Sequence, residues 1–248
     1  MSATAPPIPE AVTWHDAECG GYAGDLPLWE RLAAARGGPL LDLGAGSGRV
    51  ALHLASRGFE VVAVDADRTL LEALAARAVE RGVAIDTVAG DVRELAIGRL
   101  FPLVLAPMQL LHMLGGETGR RRALTAVRQH LAPGGTFAAA ILAEPLPPSG
   151  RAEPLPDVRE VDGWVHSSLP IEVRVSATGI EIVRLRQLVA PDGHLTEQLD
   201  VTSVDRLPPG IIEAEVREAG LRMVGTAAIA ETDVHVASVA LLMEADDG

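Results

Sequence analysis

The chain has 248 residues, 48% of them apolar, which suits one large α/β domain or one domain with an elaboration. Its 34 acidic residues outweigh 21 basic ones for a formal net charge of −13, a balance that argues against nucleic acid, whose binding needs Lys and Arg to neutralise phosphates. No apolar run reaches the ~18 residues of a membrane helix, so no membrane partner is expected. The Pro- and Ala-rich stretch Met1–Glu10 lacks the basic and then apolar pattern of a secretory signal. The single cysteine, Cys19, excludes an internal disulfide and a cysteine metal site, so the expected location is the cytoplasm.

In chain order, residues 1–13 read as a flexible lead-in and Trp14 to Arg36 as helical, with Leu26, Leu28, Trp29 and Leu32 as spaced apolar positions. Strands are predicted at Pro39–Leu43, Phe59–Val64, Val83–Ala89, Leu100–Ala106 and Thr136–Leu142. Helices are predicted between them at Gly48–Arg57, Arg68–Arg81 and Gly119–Leu131, with a short helix or turn at Met108–Leu114. This alternation argues a mostly parallel sheet with right-handed crossovers. The basic run Arg120-Arg121-Arg122 reads as a solvated helix face.

The pattern then changes. Glu144–Pro156 is Pro-rich and reads as a linker or surface loop. Residues 158–204 alternate apolar and polar positions, with turns at Thr178-Gly179 and Pro191-Asp192-Gly193, which predicts three or four antiparallel strands. A helix from Pro208 to Ala219 and two closing strands, Leu221–Ala228 and Val234–Met243, complete the chain.

The informative stretch is Leu40-Leu41-Asp42-Leu43-Gly44-Ala45-Gly46-Ser47-Gly48: a buried strand, a glycine turn and a helix start. Three glycines let the backbone turn sharply and pass close to a ligand. The dinucleotide fingerprint spaces its third glycine one residue later, and Asp42 would repel a pyrophosphate. A carboxylate there suits a cationic ligand such as S-adenosylmethionine, while Asp65, after the next apolar run, suits a ribose diol.

With Gly90-Asp91 closing the third strand and Pro133-Gly134-Gly135 before the fifth, these motifs resemble class I S-adenosylmethionine-dependent methyltransferases of the small-molecule type. The resemblance covers residues 39–143 by motif and 208–244 by pattern. It implies an α/β, Rossmann-like, seven-stranded, mostly parallel sheet whose last strand is inserted antiparallel. It also implies that the backbone of Gly44, Ala45 and Gly46 lines the methionine part of the cofactor, Asp65 binds the ribose, and Asp91 and Val92 contact the adenine; Asp42, Ala66 and Gly90 are expected among the cofactor-binding residues. Ala106 and Gln109 would edge the methyl-transfer site. Two departures stand out: Pro102 where the family often has Asp, and no Asn-Pro-Pro-Tyr-type sequence after the fourth strand, which disfavours planar amines of nucleic acids or glutamine.

Acceptor chemistry has fewer signals. His112 follows the fourth strand at the carboxyl edge and is the candidate catalytic base, against a plain structural histidine. Tyr22 resembles the lid tyrosine that covers the cofactor's methionine end in many small-molecule methyltransferases. No His, Asp or Glu group has metal spacing. The expected organisation is an N-terminal lid (1–36), a cofactor-binding core (37–143), an antiparallel β elaboration (144–207) and a C-terminal helix with closing strands (208–248). The elaboration would cover the acceptor or form a homodimer contact. The expected function is methyl transfer to N or O of a small-molecule acceptor. A cofactor-binding protein of the same fold with another reaction, or a nicotinamide-dependent oxidoreductase, are the alternatives.

Overall fold

The computed structural model describes residues 8–144, 149–151, 155–232 and 235–246. The first half of the expected lead-in, most of the Pro-rich loop and the expected start of the last strand at Val234 lie outside the described residues. The chain divides into two compact units. One holds residues 23–145 and 207–248, the other the described residues of 1–22 and 146–206.

The larger unit is the alternating α/β segment. Helix α2 (Leu26–Arg36) precedes strand β1 (Leu40–Leu43), followed by α3 (Arg49–Ala55), β2 (Val61–Asp65), α4 (Arg68–Glu80), β3 (Ile85–Ala89), β4 (Phe101–Ala106), α5 (Gly116–His130) and β5 (Leu131–Leu142). Helix α6 (Pro209–Glu218) and strands β11 (Leu221–Ile229) and β12 (Ser238–Ala245) complete it. The seven strands run in the order β11-β12-β5-β4-β1-β2-β3. All neighbours are parallel except β12, which is antiparallel to β5 and β11. Strands β1, β2 and β4 are buried almost throughout, as expected for strands covered on both faces. The strand order reverses between β1 and β4, so the crevice at their carboxyl ends is where such a sheet takes a ligand.

Local chemistry explains several boundaries. The Asp67 carboxylate caps α4, accepting from Thr69 N at 2.8 Å and Leu70 N at 3.4 Å. Helix α5 begins three residues before its predicted start, with Glu117 in its first turn, where a negative charge complements the helix dipole. Pro102 lies within β4 at a bulge between Phe101 and Leu103, where its missing N–H costs no ladder bond. Arg120 corrects the reading of the basic run as a solvated face. It is buried and forms a bidentate pair with Glu215 of α6, both bonds 2.7 Å, tying α5 to α6.

The smaller unit begins with helix α1 (Glu10–His15), which continues into a π-helical turn at Asp16–Gly20. Val12, Thr13 and Trp14 are buried, so this part of the expected lead-in is packed structure. The division after Tyr22 also places residues 23–36 with the α/β unit, which differs from the predicted lid boundary at 36. The antiparallel sheet has five strands: β6 (Gly150–Arg151), β7 (Asp157–Val161), β8 (Trp164–Val175), β9 (Gly179–Val189) and β10 (Leu195–Asp205). They run β10-β9-β8-β6, with β7 also on β8. The β7–β8 hairpin turns at Asp162-Gly163, both at positive φ, as a two-residue primed turn requires.

Candidate cofactor site

The glycine turn leaves β1 with Gly44, Gly46 and Gly48 at φ of +67°, +55° and +99°. At Gly48 glycine is required twice over. Its φ is left-handed, and a Cβ there would lie 2.8 Å from Leu74 Cγ and 2.9 Å from Leu52 Cδ1. The turn is tied down by its neighbours. Ala45 N donates to Val64 O at 3.0 Å, Gly46 N to Asp65 Oδ2 at 2.7 Å, and Arg77 Nη1 to Ser47 O at 3.1 Å.

Two of the turn's amides are therefore spent on β2, and one of those on a carboxylate. That arrangement is unlike a phosphate cradle, in which backbone N–H groups are aimed at an anion. Asp65 holds the turn through Oδ2 and its own chain through Oδ1, which accepts from Asp67 N at 2.8 Å. Each oxygen still has lone-pair capacity for a ribose hydroxyl. Ala66 beside it is exposed. Gly90 N donates to Asp65 O at 2.9 Å, joining the ends of β2 and β3.

Beneath the turn lies a buried charge group. Asp25 accepts from Trp29 Nε1 at 2.7 Å and holds Arg49 bidentately at 2.5 and 2.8 Å. Asp42, 1% exposed, makes no well-formed hydrogen bond to any described residue through either carboxylate oxygen. Burial pushes its carboxyl up to about 7, with Asp65 and Asp25 adding to the rise and Arg49 and the Ala51 amide opposing it. Arg49, whose charge opposes the rise, is already held bidentately by Asp25. An orphaned buried carboxylate in a net acidic setting fits a cationic group and opposes a pyrophosphate. The residues present thus fit S-adenosylmethionine, and no described feature favours a dinucleotide.

The remaining candidates fall in different places. Asp91 caps a short 3-10 turn at Val92–Glu94 and is clamped by Arg93, whose Nε lies 2.9 Å from both carboxylate oxygens. The Arg93 hydrogen bond holds the Asp91 carboxyl below its usual range. Val92 is buried, as is Ala106 at the end of β4. Gln109, at φ +58°, donates from Nε2 to Ser238 Oγ at 3.0 Å. His112 is buried, and its Nε2 accepts from Leu142 N at 3.1 Å. That bond occupies the lone pair a general base would use. Tyr22 is buried and belongs to the smaller unit. The sequence points to no role for Arg49, Arg93 or Ser238 and none in an ion pair for Asp25. Only Asp25, just before a predicted helix and four residues ahead of Trp29, carried a local signal.

Comparison with known proteins agrees with this geometry. Residues 40–135 match the family described as Methyltransferase domain. Over 99 residues the chain is 34% identical to a cypemycin N-terminal methyltransferase of Streptomyces sp, the match covering 40% of each protein. Over 96 residues it is 34% identical to a ubiquinone biosynthesis O-methyltransferase of Rickettsia canadensis, covering 39% of each. The matched stretch thus spans about two fifths of these curated relatives. Among solved structures, the sugar N-methyltransferase KedS8 from Streptoalloteichus sp superposes with a TM-score of 0.73 at 19% identity, covering 97% of this chain and 96% of that one. Residues 40–135 thus carry the match to a methyltransferase domain, and the sheet, with β12 antiparallel between β5 and β11, has the fold of the solved methyltransferases.

Proposed function

We propose that the protein transfers a methyl group from S-adenosylmethionine to a nitrogen or oxygen of a small-molecule acceptor. The observation that carries this reading is the orphaned Asp42 carboxylate under a glycine turn whose amides are tied to β2. The cofactor supplies an electrophilic methyl group, so the protein mainly aligns donor and acceptor. Asp42 provides negative charge beside Gly44–Gly46, Asp65 offers its remaining lone pairs to the ribose, and the Asp91-Val92 turn flanks the base. His112 holds the chain after β4 to β5 through Leu142 N. An acceptor that attacks as a neutral amine suits this arrangement better than a hydroxyl that must give its proton to His112. The names of the relatives, N-terminal, sugar N- and O-methyltransferases, support small acceptors of both kinds.

The rest of the reading concerns context. In the smaller unit, Leu195, Leu199 and Val201 are exposed on one face of β10, which supports a homodimer contact there. Net charge supports the absence of a nucleic-acid partner, and the lone cysteine supports a cytoplasmic location.

Calorimetry with S-adenosylmethionine, S-adenosylhomocysteine and NAD(H) tests the reading. The first two should bind and NAD(H) should not; binding of NAD(H) alone would sink it. Asp65→Ala should weaken cofactor binding by about 1.5–3 kcal/mol, because hydrogen bonds to a charged group are lost. An unchanged Kd would contradict the assignment of the ribose site.

A further inference from the structure

The chain between β4 and α5 is held in an uncommon shape. Met108 and Gln109 are consecutive non-glycine residues at φ +54° and +58°. Left-handed backbone of this kind costs energy at each residue and persists only where the surroundings over-determine it. The surroundings here are specific. Gln109 donates to Ser238 at the start of β12, and His112 accepts from Leu142 at the end of β5. Ser238 and Leu142 are register partners, so both side chains fasten the turn to a single rung of the β5–β12 ladder.

Between those two anchors stands Leu110, in the 3-10 turn Leu110–Met113. Its side chain reaches the glycine turn: a Cβ on Gly44 would lie 3.2 Å from Leu110 Cδ1. The segment is therefore a strut. Both ends are fixed to one rung of the β5–β12 ladder, and its middle rests on the first glycine after β1.

We propose that Gln109 is a positioning residue: through its bond to Ser238 it sets the seat of Leu110 on Gly44 and so the shape of the methionine end of the cofactor site. Strain held by side-chain bonds is preorganisation, which raises affinity by lowering the ordering cost of binding. This inference rests on the proposed cofactor and gives Gln109 a role distinct from direct contact with it.

The test uses the full chain and S-adenosylhomocysteine as the probe, with Kd from calorimetry and Tm from thermal unfolding. Ser238→Ala removes the acceptor, Ser238→Thr keeps a hydroxyl, and Gln109→Gly removes both the bond and the backbone strain. Ser238→Ala and Gln109→Gly should each weaken binding at least fivefold, while Ser238→Thr stays within about twofold of the parent. The double variant Ser238→Ala with Gln109→Gly should be no weaker than the worse single one. Gln109→Gly should leave Tm unchanged or higher, since glycine adopts positive φ without strain. A purely structural role would instead lower Tm and spare Kd. Affinity unchanged or tighter in Ser238→Ala and Gln109→Gly overturns the inference. A parent chain that fails to bind the probe overturns the proposed function first, and this inference with it.

Discussion

The two units use the same ionic and polar devices at different depths. Each contains a bidentate Arg–Glu pair. Arg120–Glu215 in the α/β unit is 6% and 3% exposed, while Arg186–Glu18 in the antiparallel unit is 17% and 13% exposed. Among the described residues, each also buries a titratable side chain without a well-formed hydrogen bond, Asp42 in the first and His166 in the second. In the parallel sheet an acid stands in an otherwise apolar strand, next to a site that a cation can complete. In the antiparallel unit a histidine stands on a sheet face already crowded with charge, packed against Trp14. On the proposed function, burial marks a ligand site in one unit, and it marks a packing seam in the other. What separates the cases is the adjoining backbone: a glycine turn in the first, a helix in the second.

The depth difference predicts the largest effect. Glu215→Ala removes the bidentate carboxylate from the buried Arg120, which should cost about 3–5 kcal/mol in urea unfolding. A loss under about 1 kcal/mol would show that Arg120 finds water or another carboxylate, and that the pair is no deeper in effect than its counterpart.

Asp42 comes next, and its sign follows from its raised carboxyl. In the unfolded chain it ionises near the ordinary aspartate value of 3.8, but in the folded one only at about 7. Its contribution to stability is fully present below 3.8 and is lost progressively as pH rises to about 7. Asp42→Asn should therefore match the parent near pH 4 and be about 2–4 kcal/mol more stable at pH 8. Parallel stability curves for the two proteins across that range would remove Asp42 as the source of strain.

Glu18→Ala should cost less, about 1–3 kcal/mol. Burial pushes the Glu18 carboxyl up, but the hydrogen bonds from Arg186 and Ser168 outweigh it and hold the group below its usual range. When Glu18 is removed, Arg186 keeps Asp200 at 2.9 Å. A loss equal to that of Glu215→Ala would erase the contrast in depth.

The same contrast governs what the sequence reveals. Strands β1, β2 and β4 are legible because both faces are covered and each reads as an apolar run, with the glycine turn marking the exit of β1. Asp42 and Asp65 are legible because their places follow from those elements. The uses of side chains across long separations are not. Arg120 finds Glu215 95 residues away, Gln109 finds Ser238 129 residues away, and the His112 lone pair is taken by a backbone N–H 30 residues on. Helical periodicity puts Arg120 on a face but cannot say that α6 covers it. In the antiparallel unit the alternation and the Asp162-Gly163 pair are local signals of strands and a hairpin, whereas the packing of the first helix depends on tertiary contacts that a local pattern does not carry.

His166 supplies the smallest predicted effect and the opposite sign. Its ring is 1% exposed, with both nitrogens lacking hydrogen-bond partners among the described residues and the Trp14 ring 4.8 Å away. Burial pushes its pKa down; Glu10 on α1 opposes this, Arg159 on β7 adds to it, and the Arg186 guanidinium lies 5.3 Å over the Trp14 ring. A histidine depressed in this way favours the neutral form. Its contribution is fully present above the unfolded value of 6.5 and is lost as pH falls through 6.5 toward the lower folded pKa. The antiparallel unit should therefore weaken on acidification over the range in which Asp42 makes the α/β unit stronger. His166→Phe keeps a ring for Trp14 and removes the proton site. Relative to the parent, it should gain about 1 kcal/mol on moving from about pH 7.5 to about pH 5.5, read from tryptophan fluorescence during urea unfolding. Equal changes in the two proteins would mean that His166 is hydrated in solution, and the likeness between the two buried groups would then end at their burial.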